Sequence, residues 1–417
     1  LKNHFLTIHL KGTGRNLNGI GAKVTVFQQG KIKVLQQMPN RGFQSSSDHQ
    51  MVFGLGANGA IDSVQVLWPN DKIETIKSVK SDQVVTLKQE NAKEIFHFFE
   101  AKQTPIFADV TSGLLDYLHV ESMFNDYDRD VLLKQKYSTQ GPALAVGDVN
   151  GDGLEDIYLG GAAGQIKQLF IQKTGGKFVN SPQADFSLDQ TTENTDATFF
   201  DADKDGDLDL FVVTGSNEFA ENAPELHDLL YLNDGKGNLK RDVRFPMIYE
   251  NGSSVSAADY DKDGDIDLFV GVRSIPIYYG LPANGFILQN DGKGNYSDVT
   301  SKIIPSLKNI GMITDAVWID YDSDKDVDLL VVGEYMPLRI FQNNGDKFTE
   351  ISKNAGFENT NGWWNTVESA DVNNDGYPDL VVGNHGLNSR FRASMKQPIE
   401  LYIHDFDQNG TIEQILC

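Results

Sequence analysis

Six times after residue 147 the chain repeats one pattern: aspartate at alternate positions of a tight polar stretch, then a short apolar run. The fullest copy is SAADYDKDGDIDLFVG, residues 256–271. Asp259, Asp261, Asp263 and Asp267 take positions 1, 3, 5 and 9, with Gly264 at position 6. The other copies start at Asp148, Asp201, Asp320, Asp371 and Asp405, and successive starts lie 53, 58, 61, 51 and 34 residues apart. A short apolar segment precedes five of the loops (ALAVG, ATFF, VSAA, AVWI, VESA), and another follows (DIYLGG, DLFVVTG, DLFVGV, DLLVVG, DLVVG). A third segment ends in hairpin chemistry: KTGGK, NDGKGN, NNGDK. One such unit leaves a hydrophobic sheet face uncovered, and radial stacking of units covers it. A period near 50 residues with internal hairpins predicts a β-propeller; a β-helix needs much shorter repeats.

Side chains at alternate positions of a tight turn converge, so three or four oxygens can meet on one ion. All-oxygen, carboxylate-rich coordination selects a hard cation, and high ligand number favours Ca²⁺ over Mg²⁺. An EF-hand would need Glu at position 12 between two helices. Position 12 is instead Leu159, Val212, Val270, Val331, Val382 and Leu416, all strand-type residues. The last acid comes at position 9, as Asp or Glu in every copy. The competing reading is a set of polar turns, with Asp where turns favour it. Six phased copies argue against that.

These units resemble the FG-GAP (VCBS) repeats of integrin α-chain propellers and bacterial surface proteins, in which the loop joins the first two strands of a blade and binds Ca²⁺. The resemblance implies ligands at Asp148, Asn150, Asp152 and Asp156; at Asp201, Asp203, Asp205 and Asp209; at Asp259, Asp261, Asp263 and Asp267; and at Asp371, Asn373, Asp375 and Asp379. Two loops depart from the pattern. Asp320, Asp322, Asp324 and Asp328 surround Lys325, which stands where glycine is usual, and weaker binding is expected there. Asp405, Asp407, Asn409 and Glu413 form the last loop, four residues before the end of the sequence, so its blade is incomplete. The chain reads as a fragment whose full propeller has seven or eight blades.

Residues 4–90 alternate with period two, as in HFLTIHLKG, and no helical periodicity persists. A small antiparallel β-sandwich or barrel is predicted. GTGRNLNGIGAKVTV, FGLG (53–56) and VQVLWPNDKIETI resemble the ASPIC/UnbV domain, which implies no catalytic role. Gly19 and Gly21 suit a positive-φ turn, Trp68 suits the core, and His4, His9 and His49 lack metal spacing. The expected division is a β domain at 1–92, a connector at 93–140 and the propeller at 141–417. In the connector, KEIFHFFEAKQ could be helix or strand. FADVTSGL has the form of a final repeat strand (compare YSDVTSKI), so the connector is a candidate for an outer propeller strand. His119 and Glu121 could pair catalytically or structurally.

The formal charge of −23 and pI near 4.6 disfavour nucleic acid and anionic membranes as partners. No apolar run reaches a membrane span. With Cys417 as the single cysteine, no intrachain disulfide forms. No P-loop, zinc motif or Ser/His/Asp signature is present. Trp363, Trp364, His385, Asn388 and Arg390 stand out as a candidate ligand surface, because aromatic faces stack on sugar rings; inter-blade packing is the alternative. The reading favours a non-enzymatic, calcium-stabilised extracellular or cell-surface scaffold for adhesion or binding, with a protein or glycan ligand. The alternatives are a carbohydrate-binding surface protein of a polysaccharide-uptake system and a calcium-assisted polysaccharide-acting enzyme.

Overall fold

The computed structural model describes residues 3–96, 107–111 and 113–417. The chain forms two compact units, Leu1–Ala108 and Asp109–Cys417. In both, β-strands are the dominant regular elements. Charge divides unevenly between them: residues 1–108 hold 13 of the 36 Lys and Arg but only 8 of the 59 Asp and Glu. The acidity of the protein therefore belongs to the repeats.

In the first unit, Met51–Gly56, His4–Lys11 and Gln83–Lys88 form one sheet. Glu94–Ile95, Lys72–Lys77, Ser63–Leu67, Lys23–Gln28 and Lys31–Gln36 form the other. Alternate residues face a shared core of Leu6, Ile8, Val24, Val26, Val64, Val66 and Trp68. One pairing departs from the antiparallel expectation: His4–Lys11 runs parallel to Gln83–Lys88, with Leu6 opposite Gln83. These strands are joined by the body of the domain, a crossover that a parallel pair requires. Gly19 (φ +62°) and Gly21 (φ +90°) occupy the expected turn. A Cβ at Gly19 would sit 3.0 Å from the Trp68 ring, so glycine also permits this close approach.

The second unit is the propeller. Its first four blades have four antiparallel strands each and start at Leu144, Asn194, Asn251 and Met312; the fourth also pairs with the fifth blade, Glu334 opposite Trp363, so these two share one six-stranded sheet. The fifth blade contributes Gly362–Ala370 and Asp379–Asn384, and the sixth the hairpin Leu401–His404/Glu413–Leu416. Second strands such as Asp209–Thr214 and Asp267–Ser274 are buried on both faces. That explains their unbroken apolar runs where period-two alternation would mark a half-exposed sheet. Hydroxyls stitch the second blade to the third, the third to the fourth and the fourth to the fifth. Thr195 Oγ1 donates to the Gly252 carbonyl (3.1 Å), Ser253 Oγ to Ile313 (2.8 Å) and Thr314 Oγ1 to Trp364 (3.0 Å).

The connector differs from its expectation. Glu94–Ile95 is a strand of the first unit, and the rest of KEIFHFFEAKQ falls largely outside the described residues. Among the described residues, FADVTSGL forms no strand. Asp109 Oδ1 accepts the Thr111 N–H (2.9 Å) and bends the chain, and the first blade already owns its fourth strand, Lys177–Asn180. The Leu114 carbonyl accepts one hydrogen bond from Phe178 on that strand (2.8 Å).

Residues 115–138 then run as a strap across the blade ends remote from the acidic loops. Tyr117 donates to the Gly160 carbonyl (2.8 Å), Asn217 Nδ2 donates to Asp130 (2.7 Å), and Tyr137 donates to Glu334 (2.7 Å). Asp126, fully buried, ties the strap to itself by accepting the N–H groups of Tyr137 and Ser138 (3.0 Å each).

Candidate metal centres

Each acidic loop has the same backbone. Position 6 lies in the left-handed region in all six, from φ +74° at Lys325 to +93° at Gly206. Position 4 does so too, at Gly151, Lys204, Lys262, Ser323, Asn374 and Gln408. Sequence reading anticipated only position 6, because position 4 carries five residue types. The two turns aim position 1 inward. In every loop the position-6 N–H donates to the position-1 carboxylate, as in Gly206 to Asp201 (3.1 Å) and Gly264 to Asp259 (3.0 Å).

Lys325 keeps this bond (3.1 Å), so the fourth loop retains its shape. A left-handed non-glycine residue costs about 1 kcal/mol or more. Lys325→Gly is expected to raise the melting temperature by roughly 2 °C, measured by calorimetry in calcium. An unchanged or lower value would mean that the strain is relieved elsewhere.

Position 9 has a double role. The Asp209 carboxylate accepts the Ala202 N–H (2.8 Å) at the loop start and the Asn233 N–H (2.8 Å) just past the third strand, Leu229–Leu232. Asp328 accepts equivalently from Tyr321 (2.9 Å) and Asn343 (2.7 Å), and Asp156 from Val149 (3.2 Å) and Gln172 (2.8 Å). These carboxylates brace the blade as well as facing the loop. Asn233, Asn290 and Asn343 extend the brace, since each side-chain amide donates to the position-2 carbonyl of the preceding blade's loop (2.7–2.8 Å). Lys204 and Lys262, at position 4, form ion pairs with Asp265 and Asp326 of the following loop. Sequence reading missed this ladder, whose partners lie 61 to 88 residues apart.

Carboxylate oxygens gather within 4.8 Å of one another in four loops: Asp201, Asp203 and Asp209; Asp259, Asp261 and Asp263; Asp320, Asp322 and Asp328; Asp405, Asp407 and Glu413. Within them the Oδ1 atoms of Asp201, Asp203, Asp259 and Asp320 are buried without a hydrogen-bond partner. An orphaned anionic oxygen beside others is costly unless a cation answers it. The donor set therefore fits a hard, oxygen-seeking ion. Burial, reinforced by neighbouring acids, pushes Asp209 and Asp267 up to about 7. In the first and fifth loops Asn150 and Asn373 turn their amide nitrogens onto Asp156 (3.1 Å) and Asp379 (3.4 Å). Holding an ion there would need the amide oxygen inward. Asp152, Asp205, Asp324, Asp375 and Asn409, at position 5, accept the position-7 N–H (2.7–3.1 Å).

The sequence profile described as ASPIC and UnbV matches residues 12–94, and that of the FG-GAP-like repeat matches 139–212 and 320–382. The chain carries an ASPIC and UnbV domain followed by FG-GAP-like repeats. The unmatched stretch between the two repeat segments includes the Asp259 loop, whose geometry is the same. No curated protein shows significant similarity to the chain. Among solved structures, Sqt1 from Saccharomyces cerevisiae is 12% identical over 56% of this chain and 54% of its own, with a TM-score of 0.34. The Dos1 propeller is 10% identical over 54% and 60%, with a TM-score of 0.32. The chain thus spans less than two thirds of either.

The candidate ligand surface is divided by the fold. Trp363 and His385 stack, with ring centroids 4.8 Å apart. Trp364, the next residue on the same strand, points the other way. Its ring packs against the core between blades four and five, and its Nε1 donates to the Thr360 carbonyl (3.0 Å). Asn388 and Arg390 are exposed, and Arg390 lies over the Phe391 ring at 5.1 Å. His119 and Glu121 are bonded at 2.8 Å, and Tyr117 stands 3.1 Å from His119. Tyr117 is tethered to Gly160, and burial with two nearby carboxylates pushes its hydroxyl up to about 12. This chain anchors the strap.

Proposed function

We propose that the protein is a calcium-stabilised, non-enzymatic scaffold, extracellular or at the cell surface, that presents a ligand-binding face. The observation that carries this reading is the set of buried, partnerless carboxylate oxygens at equivalent places in successive loops. A solvated acidic turn has no reason to bury them. The loops sit at one end of the blades, and Trp363 stands at the other end of a strand whose seven steps to Ala370 span roughly 23 Å. Ions held there would shape the blades and leave the opposite face for recognition. Among the described residues, no helix is long and apolar enough to cross a membrane.

The raised carboxylates give the test a direction. Without an ion, Asp209 and Asp267 hold a proton more tightly when folded (about 7) than an unfolded Asp does (about 3.9). The stability they lend to the ion-free fold is therefore present at low pH and lost as pH rises toward and through 7. Calcium competes with those protons, so its uptake should strengthen from pH 5.5 to pH 7.5. Calorimetric titration of chelator-stripped protein should give at least four ions per chain at pH 7.5, one for each carboxylate cluster, and weaker binding at pH 5.5. Uptake below one ion per chain would overturn the reading.

A further inference from the structure

A cavity of about 910 Å³ opens against the fifth blade, at the blade ends remote from the acidic loops. Its size lies at the upper end of small-ligand sites, roughly 300–1,000 Å³, and would admit two or three sugar rings. Its walls come from distant parts of the propeller unit: Lys134 of the strap, Tyr335 of the fourth blade, Trp363 and His385 of the fifth, and Phe391 and Arg392 beyond it.

Three features set it apart from ordinary packing. The first is strain. Tyr335 adopts φ +57°, a conformation that an aromatic residue rarely takes, at a register shift between Glu334 and Met336. The distortion brings the Tyr335 ring to 5.6 Å from Trp363, which itself stacks on His385, and so extends an aromatic wall. The second is an unmet polar atom: His385 Nε2, in that wall, is buried without a hydrogen-bond partner. The third is charge. Residues 380–399 contain no Asp or Glu but carry Arg390, Arg392 and Lys396, within the acid-rich unit.

Lys134 Nζ lies 4.4 Å from the Phe391 ring centroid and 5.8 Å from that of Trp363. Burial and the neighbouring Arg390 hold its ammonium below the usual lysine range. Among the described residues, no carboxylate comes within ion-pair distance of Lys134 or Arg392. The one carboxylate in the cavity wall, Glu400, accepts from the Tyr402 hydroxyl at 2.5 Å. Asn359, Asn361 and Asn384 add amides able both to donate and to accept.

We propose that this cavity binds a glycan bearing an anionic substituent, carboxylate or sulfate, with a sugar ring stacked on Trp363 and Tyr335 and the substituent held by Lys134 and Arg392. The proposal rests on the scaffold reading only in that the chain binds a surface ligand, and it makes no use of the calcium loops. Aromatic faces take pyranose rings, and the half-buried Lys134 and exposed Arg392, which donate to backbone carbonyls but pair with no carboxylate, attract what the rest of this acidic unit repels.

The test is calorimetry on the full chain in saturating calcium. The probes are trigalacturonate, a sulfated carrageenan tetrasaccharide, neutral galactotriose and a pentaglutamate peptide. Binding of trigalacturonate, the sulfated sugar or both is expected, with galactotriose at least tenfold weaker. Which of the two binds identifies the substituent. Trp363→Ala and Lys134→Met should each weaken binding roughly tenfold, and Lys134→Arg should retain most of it, with all variants matched by melting temperature. Asp201→Asn should reduce calcium uptake and leave glycan affinity unchanged, which separates failure of the cavity from failure of the scaffold reading. Equal binding of the neutral sugar, preference for the peptide, or no binding at all would overturn the proposal. Binding indifferent to Trp363→Ala and Lys134→Met would also overturn it, as expected of uronates bridged by calcium at the loops.

Discussion

Stripping the protein with EDTA is expected to lower its melting temperature by about 10 °C or more. An ion present at about 100 times its dissociation constant adds about 2.7 kcal/mol to the folded state, and four loops present converging carboxylates. Even two filled loops give about 5 kcal/mol, and in a unit of this size each kcal/mol moves the midpoint by about 2 °C or more. Removing the ions leaves each cluster with close like charges in the unit that already carries the protein's acidity. Calcium should restore the midpoint. Magnesium should restore less of it, because it demands near-octahedral geometry and dehydrates reluctantly. A midpoint unmoved by chelation would show that the loops are polar turns and nothing more.

The second large effect belongs to Glu334. This fully buried side chain receives Arg273 at 2.5 Å, Tyr137 at 2.7 Å and Tyr279 at 3.1 Å. Arg273 is itself buried, with its guanidinium 4.7 Å from the centre of the Tyr137 ring. Glu334→Gln would leave that guanidinium without a counter-charge, and breaking a buried pair from one side costs about 3–5 kcal/mol. The variant should melt roughly 6–10 °C lower. It should also be cut faster by protease within residues 115–138, because Tyr137 anchors the strap there. Replacing both partners, as Arg273→Met with Glu334→Leu, should recover much of the loss, since the desolvation cost goes with the charges. A Glu334→Gln protein that melts within a degree of the native one would show that the cluster is not structural.

The repeat was legible because the acidic loops and the buried second strands both leave local traces. Asp at positions 1, 3, 5 and 9 marked the loops, and runs such as DLFVVT marked strands covered on both faces. Position 9 was recognised as a loop residue, but its brace to the third strand was not, because Asn233 lies 24 residues beyond Asp209. The ladder between blades was hidden for the same reason. The candidate ligand face was legible only in part. Trp363 and Trp364 look alike in sequence, yet strand alternation sends one to the cavity and the other to the core. Tyr335 and Lys134 gave no signal at all: one depends on a register shift, and the other reaches Trp363 from more than 200 residues away. FADVTSGL misled because its resemblance to later strands is real, while the first blade had no vacancy for it.

The strap has a consequence for how the protein is made. Tyr137 precedes its partner Glu334 by 197 residues. At translation rates of about 5–20 residues per second, the strap emerges roughly 10–40 s before the fourth blade exists to receive it. Its Tyr137 end can be fastened only after the strand that carries Glu334 is in place. Its buried polar groups (Asp126, Asp130 and the Tyr137 hydroxyl) keep it compatible with water during that interval. Tyr117 can bond Gly160 of the first blade and Asp130 can receive Asn217 of the second well before Glu334 exists, so the strap is fastened progressively from its N-terminal end, with Tyr137 last.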